Sequence, residues 1–150
     1  MIKIIGVGSP FGEDQAGWKV IEILLQFVST QSGLEMTSYD RPGVRLLSYM
    51  QNAECVYLID AVKSGFTPGY IHRLEDKKID DFQVKLSTHD LGVIQTLQMG
   101  CALNILPKKI ILYGIEINED DNNGLISCVV QEAIQLVSDK IKTELTARIF

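Results

Sequence analysis

The sequence lacks cysteine pairs, long apolar runs and an excess of positive charge, and each shortage excludes a class of protein. Its cysteines form no C-x-x-C pair, which argues against a disulfide framework and a structural zinc site. We expect them to be reduced and mostly buried; they are Cys55, Cys101 and Cys128. No apolar run reaches the roughly 18 residues that cross a bilayer, and residues 1–5 enter a strand-like run instead of a signal peptide. We therefore expect a cytoplasmic protein without a membrane partner.

Basic residues and histidines are scarce as well. The 14 Lys and Arg against 19 Asp and Glu give a net charge of −5, which is the wrong sign for neutralising nucleic-acid phosphates. We therefore expect no DNA or RNA partner. The serine-hydrolase pattern G-x-S-x-G and the metalloprotease pattern H-E-x-x-H are both absent, and no cysteine has an adjacent histidine. These reaction types are therefore not expected.

Alternating strand and helix patterns predict one α/β domain over residues 1–150, and the chain is 46% hydrophobic, enough for a core. Short apolar runs predict strands at residues 2–7, 34–39, 55–59, 70–74 and 110–117. Apolar residues spaced three to four apart predict helices at residues 14–30, 44–51 and 87–106, and from 127 into the 140s. This order predicts a three-layer sandwich, in which a mostly parallel twisted sheet of about five strands carries helices on both faces.

Acidic side chains follow several predicted strands, at the edge where ligands of parallel sheets bind. Asp14 heads the first helix, Asp60 ends the third strand, and His89 lies at the start of another helix. Two carboxylates and one imidazole from separate elements suit a divalent transition metal that keeps open coordination positions. Simpler explanations exist, because Asp14 could cap its helix and Asp60 its strand. His72 lies on the predicted edge strand and is expected at the surface.

The glycine-rich segment 6–12 offers a different interpretation, a dinucleotide site in which Asp40 contacts a ribose. The third glycine is displaced by one residue from the G-x-G-x-x-G pattern. Glu13 and Asp14 also place two negative charges at the helix N-terminus that a pyrophosphate would occupy. A non-catalytic nucleotide-binding or adaptor module nevertheless remains the alternative function.

Three separated segments resemble the hydrogenase maturation proteases, in the same order and at similar spacing along the whole chain. They are residues 6–17 (GVGSPFGEDQAG), 58–62 (LIDAV) and 87–92 (STHDLG). The resemblance implies an aspartic-type endopeptidase that removes a short C-terminal peptide from the large-subunit precursor of [NiFe] hydrogenase after nickel insertion. It implies metal contacts at Asp14, Asp60 and His89. The loop before Asp14 is one residue shorter than usual in the family, so Glu13 remains a substitute for Asp14.

The resemblance also implies a source for the metal. The nickel is expected to arrive with the precursor, where it polarises the scissile carbonyl or a water molecule and signals that the substrate is complete. Zinc or cadmium could occupy the same ligands in vitro, because carboxylates and imidazole discriminate poorly among divalent ions.

Overall fold

Five strands form one twisted sheet in the computed structural model, which describes residues 1–28, 33–79, 92–120 and 123–149. The spatial order is β2-β1-β3-β5-β4, with four strands parallel and β4 antiparallel to β5 at the edge. The strands are β1 (Ile2–Gly8), β2 (Leu34–Asp40), β3 (Cys55–Val62), β4 (Ile71–Glu75) and β5 (Lys109–Glu116). This arrangement confirms the predicted α/β fold with a mostly parallel sheet.

Helices cover both faces of the sheet. They are α1 (Ala16–Phe27), α2 (Arg45–Tyr49), α3 (Val93–Ala102) and α4 (Cys128–Ile149). Short 3₁₀ turns precede α1 at Gly12–Gln15 and follow β4 at Asp76–Ile79. One core lies between the sheet and α1 and α4, and a second lies between the sheet and α2 and α3. The predicted three layers are therefore present.

The central strand β3 shows why both faces are apolar. Tyr57 and Ile59 pack toward α1 and α4, whereas Val56 and Leu58 pack toward α2 and α3. All four are fully buried, as expected for a parallel strand covered on both sides. The strand continues to Val62, so the prediction that it ends before Asp60 was wrong. The ladder with β5 extends through residues 60–62 and keeps this segment in the sheet.

The cysteines only partly follow the prediction. All three are free thiols, and Cys55 on β3 is buried as expected. Cys101 and Cys128 are exposed, so the expectation of burial was wrong for them. Cys101 lies near the end of α3, in the segment 101–105, all of which is exposed. Cys128 is the first residue of α4. Within the described ranges, no helix combines the length and the hydropathy that crossing a membrane requires.

Candidate active site

A cleft of about 640 Å³ opens at the carboxyl ends of the parallel strands. Its walls come from the loop between β1 and α1, the end of β3, the first turn of α3 and the segment after β5. Asp14 and Asp60 both line it, although they belong to different elements. The structure therefore brings two of the three predicted site residues together at the predicted edge of the sheet.

Asp14 is oriented by its own loop. It lies in the 3₁₀ turn before α1, where its N–H donates to the Phe11 carbonyl at 3.1 Å. The buried Ser9 hydroxyl donates a hydrogen bond to the Asp14 carboxylate, and the Ser9 N–H donates to the Asp14 carbonyl at 3.3 Å. The N-cap residue of α1 is Gln15, and no side chain caps the helix there. The Asp14 carboxylate is thus held toward the cleft and is not a helix cap.

Asp60 lies near the end of β3, where it lines the cleft. Removal from water and the nearby Asp14 charge together raise the pKa of Asp60 well above its usual range. Like charges that share a partly enclosed site disfavour each other. Such a pair is stabilised by a cation placed between the two carboxylates, which is what a metal-contacting site requires.

Glu13 lies next to Asp14 but has a different role in the structure. Its carboxylate is 7% exposed and accepts four hydrogen bonds, at 2.7 to 2.9 Å, from Asn118 and Ser127. Burial alone would raise the pKa of Glu13, but these hydrogen bonds outweigh it and lower the pKa. Glu13 therefore ties the turn before α1 to the segment after β5 and to the start of α4.

His89 lies in the segment 80–91, outside the described residues, and so does the predicted start of its helix at residue 87. The described part of that helix begins at Val93, after Gly92, and both residues line the cleft. In the ranges that the structure describes, no three His, Cys, Asp or Glu side chains are grouped closely enough to hold a metal ion.

His72 corrects a prediction, because it is buried and not at the surface. Its Nε2 atom lies 2.8 Å from Oε1 of Glu116, which is itself 1% exposed. The Ser64 hydroxyl also donates to Glu116 Oε1, and the Ser64 N–H donates to Oε2 at 3.2 Å. We call these three residues the Glu116 cluster. The cluster joins the ends of β3 and β5 to β4.

Close backbone packing requires glycine at two positions of the segment 6–17. A Cβ atom on Gly17 would lie 2.4 Å from the Ile59 carbonyl oxygen and 2.6 Å from that of Val7. A Cβ atom on Gly6 would lie 2.6 Å from the Gly17 carbonyl oxygen. These glycines allow α1 to approach β1 and β3 closely, a requirement that involves no phosphate. Asp40, the proposed ribose ligand, pairs with Arg41 at 2.7 Å.

Comparison with known proteins points to one family. The sequence model of the hydrogenase maturation proteases matches residues 42–144, a range that includes Asp60 and His89. The hydrogenase 2 maturation protease of Escherichia coli is 30% identical over 117 residues, covering 76% of this chain and 71% of that protein. The hydrogenase expression/formation protein HupD of Thiocapsa roseopersicina is 26% identical over 137 residues, covering 89% of this chain and 62% of HupD.

The fold comparison agrees. The hydrogenase maturating endopeptidase HybD from E. coli superposes with a TM-score of 0.81 at 25% identity, covering 98% of this chain and 93% of HybD. Length separates this chain from some relatives, since it spans only 60% to 62% of three HupD, HoxM and HupM proteins that it matches.

Proposed function

This chain belongs to the hydrogenase maturation protease family, and we propose that it is an endopeptidase acting on a [NiFe] hydrogenase. Its substrate is the large-subunit precursor, already loaded with nickel, from which it removes the C-terminal tail. The observation that carries the proposal is the pair of carboxylates, Asp14 and Asp60, which both line the cleft and lie near enough for the Asp14 charge to raise the pKa of Asp60. The reaction belongs in the cytoplasm, where the free thiols of this chain stay reduced.

The proposed metal contacts are Asp14, Asp60 and His89, and the metal is the nickel that the precursor carries. Two facing carboxylates are too few ligands for a closed metal site. They suit an ion whose remaining ligands belong to the substrate. The same ligands would accept zinc or cadmium from a concentrated buffer, because carboxylates select weakly among divalent ions.

The residues of this chain then have distinct tasks. Ser9 orients the Asp14 carboxylate, and the two carboxylates contact the nickel of the substrate. The cleft holds the tail so that the scissile bond stays beside the metal, which is catalysis by proximity. The substrate's nickel polarises the scissile carbonyl or a water molecule. Cleavage is therefore conditional on nickel insertion.

Mass analysis of the precursor after incubation tests the proposal. The unmodified chain is expected to shorten the nickel-loaded precursor and to leave the nickel-free precursor intact in the presence of chelator. Asp14→Asn, Asp60→Asn and His89→Ala are each expected to fold and to leave both forms uncut. Glu22→Gln is the matched control, since this carboxylate is exposed on α1 and should not affect cleavage. Efficient cleavage of the nickel-free form would contradict the role of the substrate's metal.

The alternative, a nucleotide-binding or adaptor module, predicts that the protein binds a dinucleotide and leaves the precursor uncut. The protease proposal predicts that titration with NAD and NADP, followed by calorimetry, shows no binding at concentrations up to the millimolar range. Binding that is lost in Asp40→Ala, together with an uncut precursor, would favour the alternative.

A further inference from the structure

A second, smaller pocket of about 180 Å³ lies beside the cleft. Phe66, Pro68 and Ile117 contribute apolar surface to it, and Lys63 and Glu119 lie at its polar side. We propose that this pocket is a subsite that takes one apolar side chain of the substrate's C-terminal tail and so selects the tail. The inference rests on the proposed function, because it assumes that a peptide occupies the cleft.

The pocket adjoins the cleft. Four residues line both spaces: Lys63, Ile117, Asn118 and Glu119. The pocket is therefore within reach of a side chain of a peptide that lies in the cleft. The volume equals that of roughly six water molecules, which admits one aliphatic or aromatic side chain but no dinucleotide.

The register of the sheet relates the position of Asp60 to that of the pocket. Asp60 pairs with Gly114 across β3 and β5, and Val62 pairs with Glu116, which lines the pocket. Residues two apart on a strand point to the same face and lie about 6.6 Å apart. An extended peptide has the same repeat. A substrate side chain about two positions from the residue at the carboxylates would thus reach the pocket.

The chemistry of the pocket favours an apolar side chain. The charged residues that line it are Lys63, Glu116 and Glu119. The Glu116 carboxylate already accepts hydrogen bonds from the Ser64 hydroxyl and the Ser64 N–H, with His72 Nε2 at 2.8 Å. A carboxylate that already has these donors needs no hydrogen bond from a ligand. The apolar contacts with the ligand come from the rings of Phe66 and Pro68 and from the side chain of Ile117.

The Glu116 cluster also fixes the wall of the pocket. The Phe66 ring packs edge-on against His72, with 4.8 Å between ring centroids, and lies 4.9 Å from the Tyr70 ring. Phe66 is nonetheless 51% exposed and Tyr70 50% exposed. A rigidly supported but half-exposed aromatic ring beside a substrate cleft is suited to binding an apolar group with little ordering cost.

Steady-state cleavage of the nickel-loaded precursor tests the subsite. Phe66→Ala is expected to lower kcat/KM about tenfold, mainly through KM, because one apolar contact in a pocket changes discrimination by about that factor. Phe27→Ala is the matched control: Phe27 is 68% exposed and lies where α1 ends, at the opposite end of the sheet from the cleft. The control should change kcat/KM by less than about twofold. Thermal unfolding checks that both variants are folded.

A scan of the substrate tail identifies the side chain involved. Each tail residue is replaced by Asp, one at a time. At one position the Asp substitution is expected to lower kcat/KM for the unmodified chain but to have little effect on kcat/KM for Phe66→Ala, as a double-mutant cycle requires for groups in contact. Equal kcat/KM for Phe66→Ala and the unmodified chain on every tail would overturn the subsite and leave the proposed function standing. A precursor left uncut by the unmodified chain would overturn both.

Discussion

Substituting Glu13 by Gln should separate the stability of the fold from cleavage. Each carboxylate oxygen of Glu13 accepts two hydrogen bonds, one pair from Asn118 and the other from Ser127. A glutamine has the same shape, but one end of its amide is an NH₂ donor. Whichever end the nitrogen takes, it meets two donors and can accept from neither.

The loss of stability in Glu13→Gln depends on which of the hydrogen-bond donors can turn to another acceptor. The Asn118 side chain and the Ser127 hydroxyl can rotate to other acceptors, whereas the backbone N–H at either residue is fixed. One backbone N–H therefore loses its partner in a site where Glu13 is 7% exposed. An unsatisfied buried donor costs about 1–3 kcal/mol, and loss of the charge on the acceptor weakens the remaining bonds. We expect a loss of about 2 kcal/mol, which lowers Tm by about 4–8 °C for a domain of this size.

Asp14→Asn is the matched comparison, because it changes the neighbouring residue in the same chemical way. The Ser9 hydroxyl can still donate to the Asn amide oxygen, and the negative charge of Asp14 near Asp60 is removed. Tm should therefore stay the same or rise slightly, while cleavage of the nickel-loaded precursor is lost. Glu13→Gln, assayed well below its Tm, should still cleave.

Thermal unfolding by circular dichroism and mass analysis of the precursor give the two readouts. The reasoning is refuted if Glu13→Gln unfolds at the unmodified Tm and fails to cleave, while Asp14→Asn cleaves normally. That result would make Glu13 the metal contact and its hydrogen bonds dispensable.

Three further predictions concern the packing, the thiols and the surface charges. Gly17→Ala should destabilise the fold by about 1–3 kcal/mol in urea unfolding, because the added methyl meets fixed carbonyl oxygens; Gly100→Ala should be milder, since its methyl meets the ends of leucine side chains. Replacing all cysteines by Ala should leave cleavage intact and cost about 1 kcal/mol, mostly from the cavity at Cys55; loss of turnover in a folded variant would indicate thiol chemistry. Hydrogen bonds from Lys109 and from a neighbouring arginine lower the pKa of Glu75 to about 2. The stabilisation of the fold by ionised Glu75 is therefore complete above the ordinary pKa of a glutamate and is lost as pH falls toward 2. Glu75→Gln should flatten the decline of Tm below pH 4.5, and an unchanged decline would contradict this.

The fold was predictable because its signals are local. The apolar runs of β1, β3 and β5 are continuous, as expected for strands covered on both faces. The three-to-four spacing in α1 and α4 is equally local. The end of β3 was not predictable in this way, because pairing with β5 keeps the polar Asp60 within the ladder.

The candidate site was predictable only in part. Asp14 and Asp60 follow from the rule that parallel strands present their carboxyl ends at one edge. The role of Glu13 depends on partners 105 and 114 residues away, and no local pattern indicates them. His72 was assigned to the surface because β4 is an edge strand. It is buried because it pairs with Gly114, where the missing side chain leaves room.

A signal for the Glu116 cluster is nevertheless present in the strand periodicity. His72 and Leu74 on β4, and Leu112 and Glu116 on β5, occupy positions that share one face of the sheet. Leu112 belongs to the core that α2 and α3 cover, and Leu74 packs against it, so polar residues on this face are expected to be buried and paired. Alternation along an edge strand therefore says which side of it is buried, even when the other side is solvated.

The proposed site depends both on contacts within single elements and on packing between elements. The position of each carboxylate is set within its own element, since Asp14 is oriented by Ser9 five residues earlier and Asp60 is placed by strand β3. The distance between them depends on the packing of α1 against β1 and β3, which Gly17 permits. On this account removal from water and, secondarily, the nearby Asp14 charge raise the pKa of Asp60 in the free site, and a bound cation favours the ionised form of both carboxyl groups. A substrate that brings its own nickel supplies that cation together with the tail, so binding of the tail and stabilisation of the ionised carboxylates occur in a single step.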